Sequence, residues 1–238
     1  NSLPEINYKN LNEFVYILKI IISSCYSSIN NSRQYHDQEL DDNLLQNIIS
    51  EKKSILLSVF NEIWGSIRIL LECPNYNTVE NSIQLIKFFM RGMKQDFDVY
   101  RQEFLGIICK AYSFQPFSSY LYAFEITLSV VEPGCENKEF IMLKSVLDEL
   151  CKITFEYYLK IKDNYDNNPQ LTEDIFGLLF RGMKLNPLVV LDSAYFESVL
   201  SVAIDCIDLK HPASALNVIY FIEKVLNFQN NKFISNLG

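Results

Sequence analysis

A short segment occurs twice in this chain, and this repeat constrains the fold more than any other feature. The residues Phe-Phe-Met-Arg-Gly-Met-Lys at 88–94 return as Leu-Leu-Phe-Arg-Gly-Met-Lys at 178–184, a spacing of 90 positions. The preceding turns correspond as well, since the residues at 82, 85 and 86 fall on those at 172, 175 and 176. The alternative is a coincidence in a sequence of biased composition, but the segments also take matching places within two helical patterns.

A period of 90 residues accommodates two helix pairs of about 45 residues each, the length of HEAT and armadillo repeats. Further along, Gln115-Pro116-Phe117-Ser118 resembles His211-Pro212-Ala213-Ser214, with a six-residue slip that a loop can absorb. The sequence therefore predicts an all-α fold. We expect a HEAT-type α-solenoid of about four to five stacked antiparallel helix pairs over residues 1–238, with one concave and one convex surface.

Apolar residues recur near the helical period through most of the chain, which only 7 Gly and 7 Pro interrupt. The predicted helices lie at about 8–24, 54–72, 78–94, 97–113, 116–131, 137–161, 171–185, 192–207 and 212–227, with a tenth starting near Asn230. Their limits follow boundary signals at Asn77-Thr78, at Thr172 with Glu173 and Asp174, and at Pro116, Pro187 and Pro212. The polar stretch 27–43 is predicted to be a long surface loop, followed by a short helix near 41–50.

Composition excludes several classes of protein. An apolar content of 49% is enough for a continuous core, and a formal charge of -8 argues against direct nucleic-acid binding, which needs a dense basic surface. No uninterrupted apolar run approaches the roughly twenty residues of a membrane span, so no membrane contact is predicted. The chain begins without Met and without signal-peptide features, and we expect it to be a piece of a longer soluble protein.

The residues that usually carry catalysis or bind metals do not form a recognisable site. The six cysteines form no C-x-x-C pair, and five lie in or beside apolar runs, which predicts buried thiols in a reducing compartment. The two histidines, His36 and His211, are far apart, and neither is placed beside a nucleophile. Glycine-rich phosphate-binding motifs are absent as well. We predict no enzymatic activity, no catalytic residue, no metal site and no cofactor.

The candidate partner-binding residues are basic. Lys87, Arg91 and Lys94 stand at i, i+4 and i+7, so they share one face of the predicted helix 78–94, and Arg181 with Lys184 repeats the end of that stripe. One interpretation is that these cations complement the helix dipole and stay solvated. The other is that they line the concave side and bind acidic or phosphorylated cargo, to which Arg offers paired hydrogen bonds.

Three segments carry a resemblance to a known family: Thr78-Val79-Glu80-Asn81 leading to Phe88, the stretch 147–155, and the stretch 169–176. From about Leu56 to Leu226 the chain resembles the middle-to-C-terminal HEAT repeats of the transportin-SR and importin-thirteen branch of the karyopherin-β nuclear transport receptors. The match is one of helix order, loop length and scattered identities.

The resemblance implies a receptor that holds cargo proteins on a concave helical surface and shuttles between cytoplasm and nucleus. It implies that helix 78–94 corresponds to the family's arginine-rich inner helix, which grips arginine-serine-rich, often phosphorylated, cargo. Basic character is present at Lys87 and Arg91, whereas Asn81 and Gln84 stand where the family's pattern has arginine. Ran GTPase is implied as a partner of the full-length receptor, through N-terminal repeats.

The alternative is a HEAT-repeat scaffold, such as a phosphatase regulatory subunit or a coat component. Such a scaffold would share the helix pairs without using the basic stripe.

Overall fold

The structure is a computed structural model that describes residues 8–34, 42–131, 138–160 and 165–235. Within these ranges every regular element is a helix, which confirms the predicted all-α fold. Short 3-10 turns at Lys94–Phe97 and Tyr165–Asn167 accompany the α-helices. The α-helices are α1 (Tyr8–Gln34), α2 (Asp42–Leu71), α3 (Tyr76–Met93), α4 (Asp98–Phe114), α5 (Ser118–Val130), α6 (Lys138–Lys160), α7 (Pro169–Leu185), α8 (Pro187–Leu191), α9 (Phe196–Asp205) and α10 (Pro212–Ser235).

Proline and asparagine mark several helix starts. The first position of a helix is occupied by proline at Pro169, Pro187 and Pro212. The N–H group that proline lacks has no intrahelical hydrogen-bond partner at this position. Asn75 caps α3, because its side chain accepts a hydrogen bond from the Thr78 N–H at 3.0 Å. The predicted signals at Asn77-Thr78 and at Thr172 therefore lay two to three residues too late.

The predicted surface loop at 27–43 is wrong in its first half, because α1 continues to Gln34. Residues 35–41 lie outside the described residues. The stretch from Ser27 to Gln34 is polar but contains neither Gly nor Pro, so nothing in it terminates a helix that has already begun.

Two predicted pairs of helices are single helices. The short helix near 41–50 and the helix 54–72 together form α2, and no tenth helix starts near Asn230, because α10 runs to Ser235. Polarity suggested breaks at both places, but neither place has Gly or Pro. At Pro187 a helix was missed. The sequence predicted a gap between helices there, but the short helix α8 begins at this residue.

The helices fall into two compact units, Asn1–Ile107 and Ile108–Gly238. In the first unit α3 packs against both α1 and α2. Its core is aromatic, because four rings surround Phe60 of α2 at centroid distances of 4.8 to 5.5 Å. They are the rings of Trp64, Phe89, Phe97 and Tyr100. The indole N–H of Trp64 donates to Glu103 Oε2 at 2.8 Å, so this buried ring leaves no unmade bond.

In the second unit α7 packs between α5 and α10, and α8 packs against α7. The contact with α8 is close, because a Cβ at Gly182 would lie 2.7 Å from Val190 Cγ2. Real Cβ atoms essentially never approach other atoms so closely, so any larger residue at this position requires Val190 or α8 to shift.

Two buried hydroxyl pairs tie the helices of the second unit together. The Tyr112 hydroxyl lies 2.6 Å from Thr154 Oγ1, and the Tyr158 hydroxyl lies 2.9 Å from Thr172 Oγ1. Both threonines donate to carbonyls in the preceding turn, so the tyrosines are the donors. Burial raises the pKa of both tyrosines, which keeps these donors protonated.

One stretch of α2, Lys53–Leu71, is long and apolar enough to cross a membrane on length and composition alone, and a third of it is buried in the protein. Core helices of water-soluble proteins pass the same test. The sequence prediction of no span counted uninterrupted apolar residues, and Glu62 and Arg68 interrupt this stretch.

Candidate functional site

The two related segments lie at the C-terminal ends of α3 and α7 and share one pattern of burial. Arg91 and Arg181 are exposed, as are Lys94 and Lys184. The aligned core positions are buried in both helices: Ser82 and Thr172, Leu85 and Ile175, Ile86 and Phe176, Phe89 and Leu179, Gly92 and Gly182, Met93 and Met183. The sequence correspondence therefore extends to the side of each helix that faces the core.

A hydrogen bond also recurs at the same spacing. The Ser82 hydroxyl donates to the Thr78 carbonyl at 2.7 Å, and the Thr172 hydroxyl donates to the Asn168 carbonyl at 3.3 Å. Thr78 and Asn168 are themselves 90 positions apart. A short polar side chain is satisfied inside each helix in the same way.

Arg91 and Lys87 differ in exposure and in their contacts with other residues of the chain. Arg91 is exposed and makes no ion pair with any other residue in the described ranges. Lys87 is half-buried, donates to Gln84 Oε1 at 3.2 Å and lies 5.8 Å from the centroid of the Phe88 ring. Arg91 is thus the cation of α3 best placed to bind an anionic partner.

Lys94 does not continue the helical stripe as the sequence spacing predicted. The helix α3 ends at Met93, and Lys94 is its C-terminal cap with φ 54° and ψ -115°. Helical spacing therefore does not fix the direction of this side chain, although the residue is exposed near Arg91 in the chain.

Asn81 is already occupied by contacts inside the first unit. Its side-chain amide donates to Asn12 Oδ1 at 2.7 Å, and its carbonyl oxygen accepts from Lys19 Nζ at 2.8 Å. Asn81 therefore links α3 to α1. A position at which the family's pattern has a cargo-binding arginine therefore has a structural role in this chain.

The cations of α7 have partners. Arg181 Nε lies 2.5 Å from Glu125 Oε1 on α5, and Lys184 Nζ lies 4.2 Å from the centroid of the Phe180 ring. That ring stacks on Tyr220 of α10 at 5.6 Å. Both cations bridge their helix to a neighbour or pack on its surface, so less of their binding capacity is free than at Arg91.

Acidic side chains accompany Arg181 in the second unit. Asp174 of α7 accepts a hydrogen bond from Gln170 Nε2 at 3.1 Å. The pKa of Asp174 is raised to about 6, and burial is the largest cause; hydrogen bonds from Gln170 and Ser118 lower it, and the nearby carboxylates of Glu173 and Glu125 add to the rise. This surface is mixed in charge rather than basic.

His211 and Ser214 form a helix start and not a catalytic pair. His211 Nδ1 lies 2.9 Å from Ser214 Oγ and 3.9 Å from Glu173 Oε2. In a catalytic triad the two ring nitrogens contact different partners, but here one nitrogen faces both. The buried Ser214 hydroxyl donates to the Pro169 carbonyl at 2.7 Å, so it joins α10 to α7. His36 lies outside the described residues.

The cysteines that the structure describes are unpaired thiols. Cys73, Cys151 and Cys206 are buried and Cys109 is half-buried. Burial raises the pKa of Cys109 to about 11 and that of Cys206 to about 12, so neither is a thiolate at neutral pH. The side chains of Cys25 and Cys135 lie outside the described set. Among the described residues no cluster of His, Cys, Asp and Glu could hold a metal ion.

One concave feature was not predicted from the sequence. An open cleft of about 390 Å³ is lined by Tyr165, Asp166, Asp205, Asp208 and Leu209. Asp166 Oδ1 accepts a hydrogen bond from the Lys210 N–H at 2.9 Å, which joins the 3-10 turn to the segment before α10. Asp166 belongs to the 3-10 turn, whereas Asp205 ends α9 and Asp208 follows it, so no single sequence motif indicates the cleft.

A comparison with known protein families gives no assignment. No protein-family model matches this sequence.

Proposed function

We propose that this chain is a protein-binding segment of a nuclear transport receptor of the karyopherin-β type, with a HEAT-type solenoid fold that holds cargo on its concave surface. The observation that carries the proposal is the pair of related segments, 88–94 and 178–184. They end two helices with the same burial pattern, and each presents an exposed Arg and an exposed Lys. Repeated helices of this length bury their apolar faces by stacking, and the packing of α7 between α5 and α10 agrees with that arrangement.

In this proposal Arg91 is the principal cargo-binding group. It is exposed and unengaged within the described ranges, and Lys87 lies one turn before it on the same helix. The cargo is an acidic segment or a phosphorylated arginine-serine segment, because guanidinium and ammonium groups bind carboxylates and phosphates. Arg181 and Lys184 contribute less, because a carboxylate and an aromatic ring already occupy them. The full-length receptor uses Ran GTPase and moves between cytoplasm and nucleus.

A peptide-binding titration tests this assignment. The probes are a phosphorylated arginine-serine peptide and its unphosphorylated form, each labelled with a fluorophore and followed by anisotropy. We expect the phosphorylated peptide to bind, and we expect the double substitution Lys87→Glu with Arg91→Glu to weaken binding at least tenfold. The matched control is Lys152→Glu with Lys160→Glu on α6, which changes the total charge equally at another surface.

Binding that survives the α3 substitutions, or that falls equally in the α6 control, would remove Lys87 and Arg91 as the site. Equal binding of both peptide forms would remove phosphate recognition and leave only a general attraction between charges.

The scaffold alternative draws on a separate observation. Lys87, Arg181 and Lys184 already contact residues of this chain, and such contacts are what structural surface cations make. If the chain is a scaffold, neither peptide binds, and the α3 substitutions change nothing beyond a small shift in stability.

A further inference from the structure

We propose that α1 is the contact surface of a homodimer, in which two copies of this chain pair through the apolar face formed by Phe14, Tyr16, Ile17, Ile20 and Ile21. These five side chains are 61%, 50%, 57%, 46% and 53% exposed. The opposite side of the same helix buries Val15 and Ile22 and contacts α3. Apart from Lys19, the helix is thus apolar all round from Phe14 to Ile22, which is the pattern of a helix covered on every side.

The size of this face fits a contact between two copies. At roughly 200 Å² for a fully exposed large side chain, the five residues expose on the order of 500 Å². Two copies then bury about 1,000 Å² from these side chains alone, and flanking positions such as Glu13 and Ser24 add to it. The total approaches the lower end of the range for stable dimers, about 1,200 Å².

The polar groups around the face are compatible with burial. The Ser23 and Ser24 hydroxyls both donate to the Ile20 carbonyl at 2.9 Å, so neither hydroxyl is left without a partner when the face is covered. Lys19 is turned toward α3, where it bonds to Asn81, and its ammonium group lies 4.7 Å from the Tyr16 ring centroid. Between Phe14 and Ile21 no other charged residue occurs.

A second copy is the occupant that this charge distribution favours. An isologous contact uses one patch twice, so any charge in the patch meets its own copy. Among the α1 residues whose side chains the structure describes, the charge nearest to this patch on the exposed side is that of Glu13. Antiparallel pairing centred on Ile17 separates the two Glu13 side chains by about 12 Å along the helix axis, beyond the screening length of about 8 Å. The exposed apolar residues of α10, in contrast, have Glu223 between them.

Multi-angle light scattering of the whole chain after size-exclusion chromatography tests the dimer. Across about 1 to 200 µM protein we expect the mass to rise from one copy toward two, as a micromolar dissociation constant predicts. Ile17→Glu should lower the affinity at least a hundredfold and hold the mass at one copy. The control is Ile69→Glu, the same substitution at a residue 74% exposed on α2, which should dimerise like the wild type.

A second measurement reports the geometry. With I17C, oxidation should link two chains, because the symmetric pairing brings both introduced thiols to the centre of the contact. The wild type under the same oxidation accounts for the native cysteines. A wild-type mass of one copy at every concentration, or I17E chains that dimerise as well as the wild type, would overturn the proposal, and the first result would leave another kind of protein as the occupant. Matching circular dichroism and melting temperatures of I17E and I69E exclude unfolding as the cause.

Discussion

The C-terminal halves of α3 and α7 bury equivalent positions and both expose an Arg and a Lys, but they differ at half-buried positions beside these cations. Gln84 and Lys87 of α3 correspond to Asp174 and Gly177 of α7, whereas the arginine is present in both helices. One face is basic and the other is mixed, although both pack on their cores alike. The repeat therefore preserves the buried positions and the exposed Arg and Lys, while the half-buried positions beside them change the charge of the face.

The ends of the two helices differ for reasons that lie outside the repeat. After α7 comes Pro187, which disfavours a helical conformation at Asn186, and this residue has φ -148° and ψ 81°. After α3 comes Phe97, which is fully buried in the aromatic cluster around Phe60. The chain turns at Lys94 to bring this ring inside, and Lys94 adopts a positive φ.

Gly182→Ala tests the close contact between α7 and α8, and among these substitutions we expect it to change stability most. The added methyl group would meet Val190 Cγ2 at 2.7 Å, and a β-branched side chain in a packed core has little freedom to move. We expect a loss of about 2 kcal/mol in the free energy of unfolding, measured by urea denaturation.

Gly106→Ala is the control for this substitution. Gly106 lies in α4, and nothing stands within 4 Å of an added Cβ. Alanine should therefore stabilise the helix by about 0.5 to 1 kcal/mol. Val190→Ala should relieve the clash, so the double variant should lose less than the two single losses added together. A Gly182→Ala variant as stable as Gly106→Ala would show that α8 can move away from α7.

Asp174→Asn makes α7 resemble α3, which has the neutral Gln84 at this position. The pKa of Asp174 is raised to about 6 in the folded chain from an ordinary value of 3.8, so its ionisation destabilises the fold. The destabilisation is absent below pH 3.8 and complete above pH 6. We expect Asp174→Asn to gain about 1 to 2 kcal/mol at pH 8 and nothing at pH 3.5.

The measurement is urea denaturation at several pH values. Asp192→Asn, at an exposed position after α8, removes the same charge and serves as the control. A gain that is equal for both variants would assign the effect to total charge and not to the burial of Asp174.

The helix limits were predicted well where two sequence signals agree. The predictions failed where a contact between residues distant in sequence determines the structure. α4, α5 and α6 lie within two residues of their predicted limits, because apolar periodicity and flanking breakers coincide. α1 was cut short because its polar end suggested a loop, although nothing there ends a helix. At the candidate site the basic residues identified in the sequence are exposed except Lys87, which is half-buried. The sequence could not show that Glu125, 56 residues earlier, pairs with Arg181, nor that Phe97 draws Lys94 out of the helix.

Glycine substitutions at the two equivalent lysines should have opposite effects. Lys94 has φ 54° and ψ -115°, a conformation that a Cβ disfavours, so Lys94→Gly removes strain. Lys184 lies within α7, so Lys184→Gly loses helix propensity and the contact with Phe180. We expect a gain of about 0.5 to 1 kcal/mol for Lys94→Gly and a loss of similar size for Lys184→Gly. Losses of equal size at both positions would mean that α3 extends through Lys94 in solution.

The smallest predicted effect is the difference in stability between alanine substitutions at Arg181 and at Arg91. Arg181 pairs with Glu125, but its side chain is half exposed, and solvent screens the pair, so the coupling between them should be about 0.5 kcal/mol. A double-mutant cycle with Arg181→Ala and Glu125→Gln measures that coupling, and high salt should reduce it. Arg91→Ala should leave stability unchanged within the error of the method, because Arg91 pairs with no described residue. If Arg91→Ala lowers stability as much as Arg181→Ala, the apolar stem of each arginine carries the effect, and the two helices differ less in their exposed faces than their charges indicate.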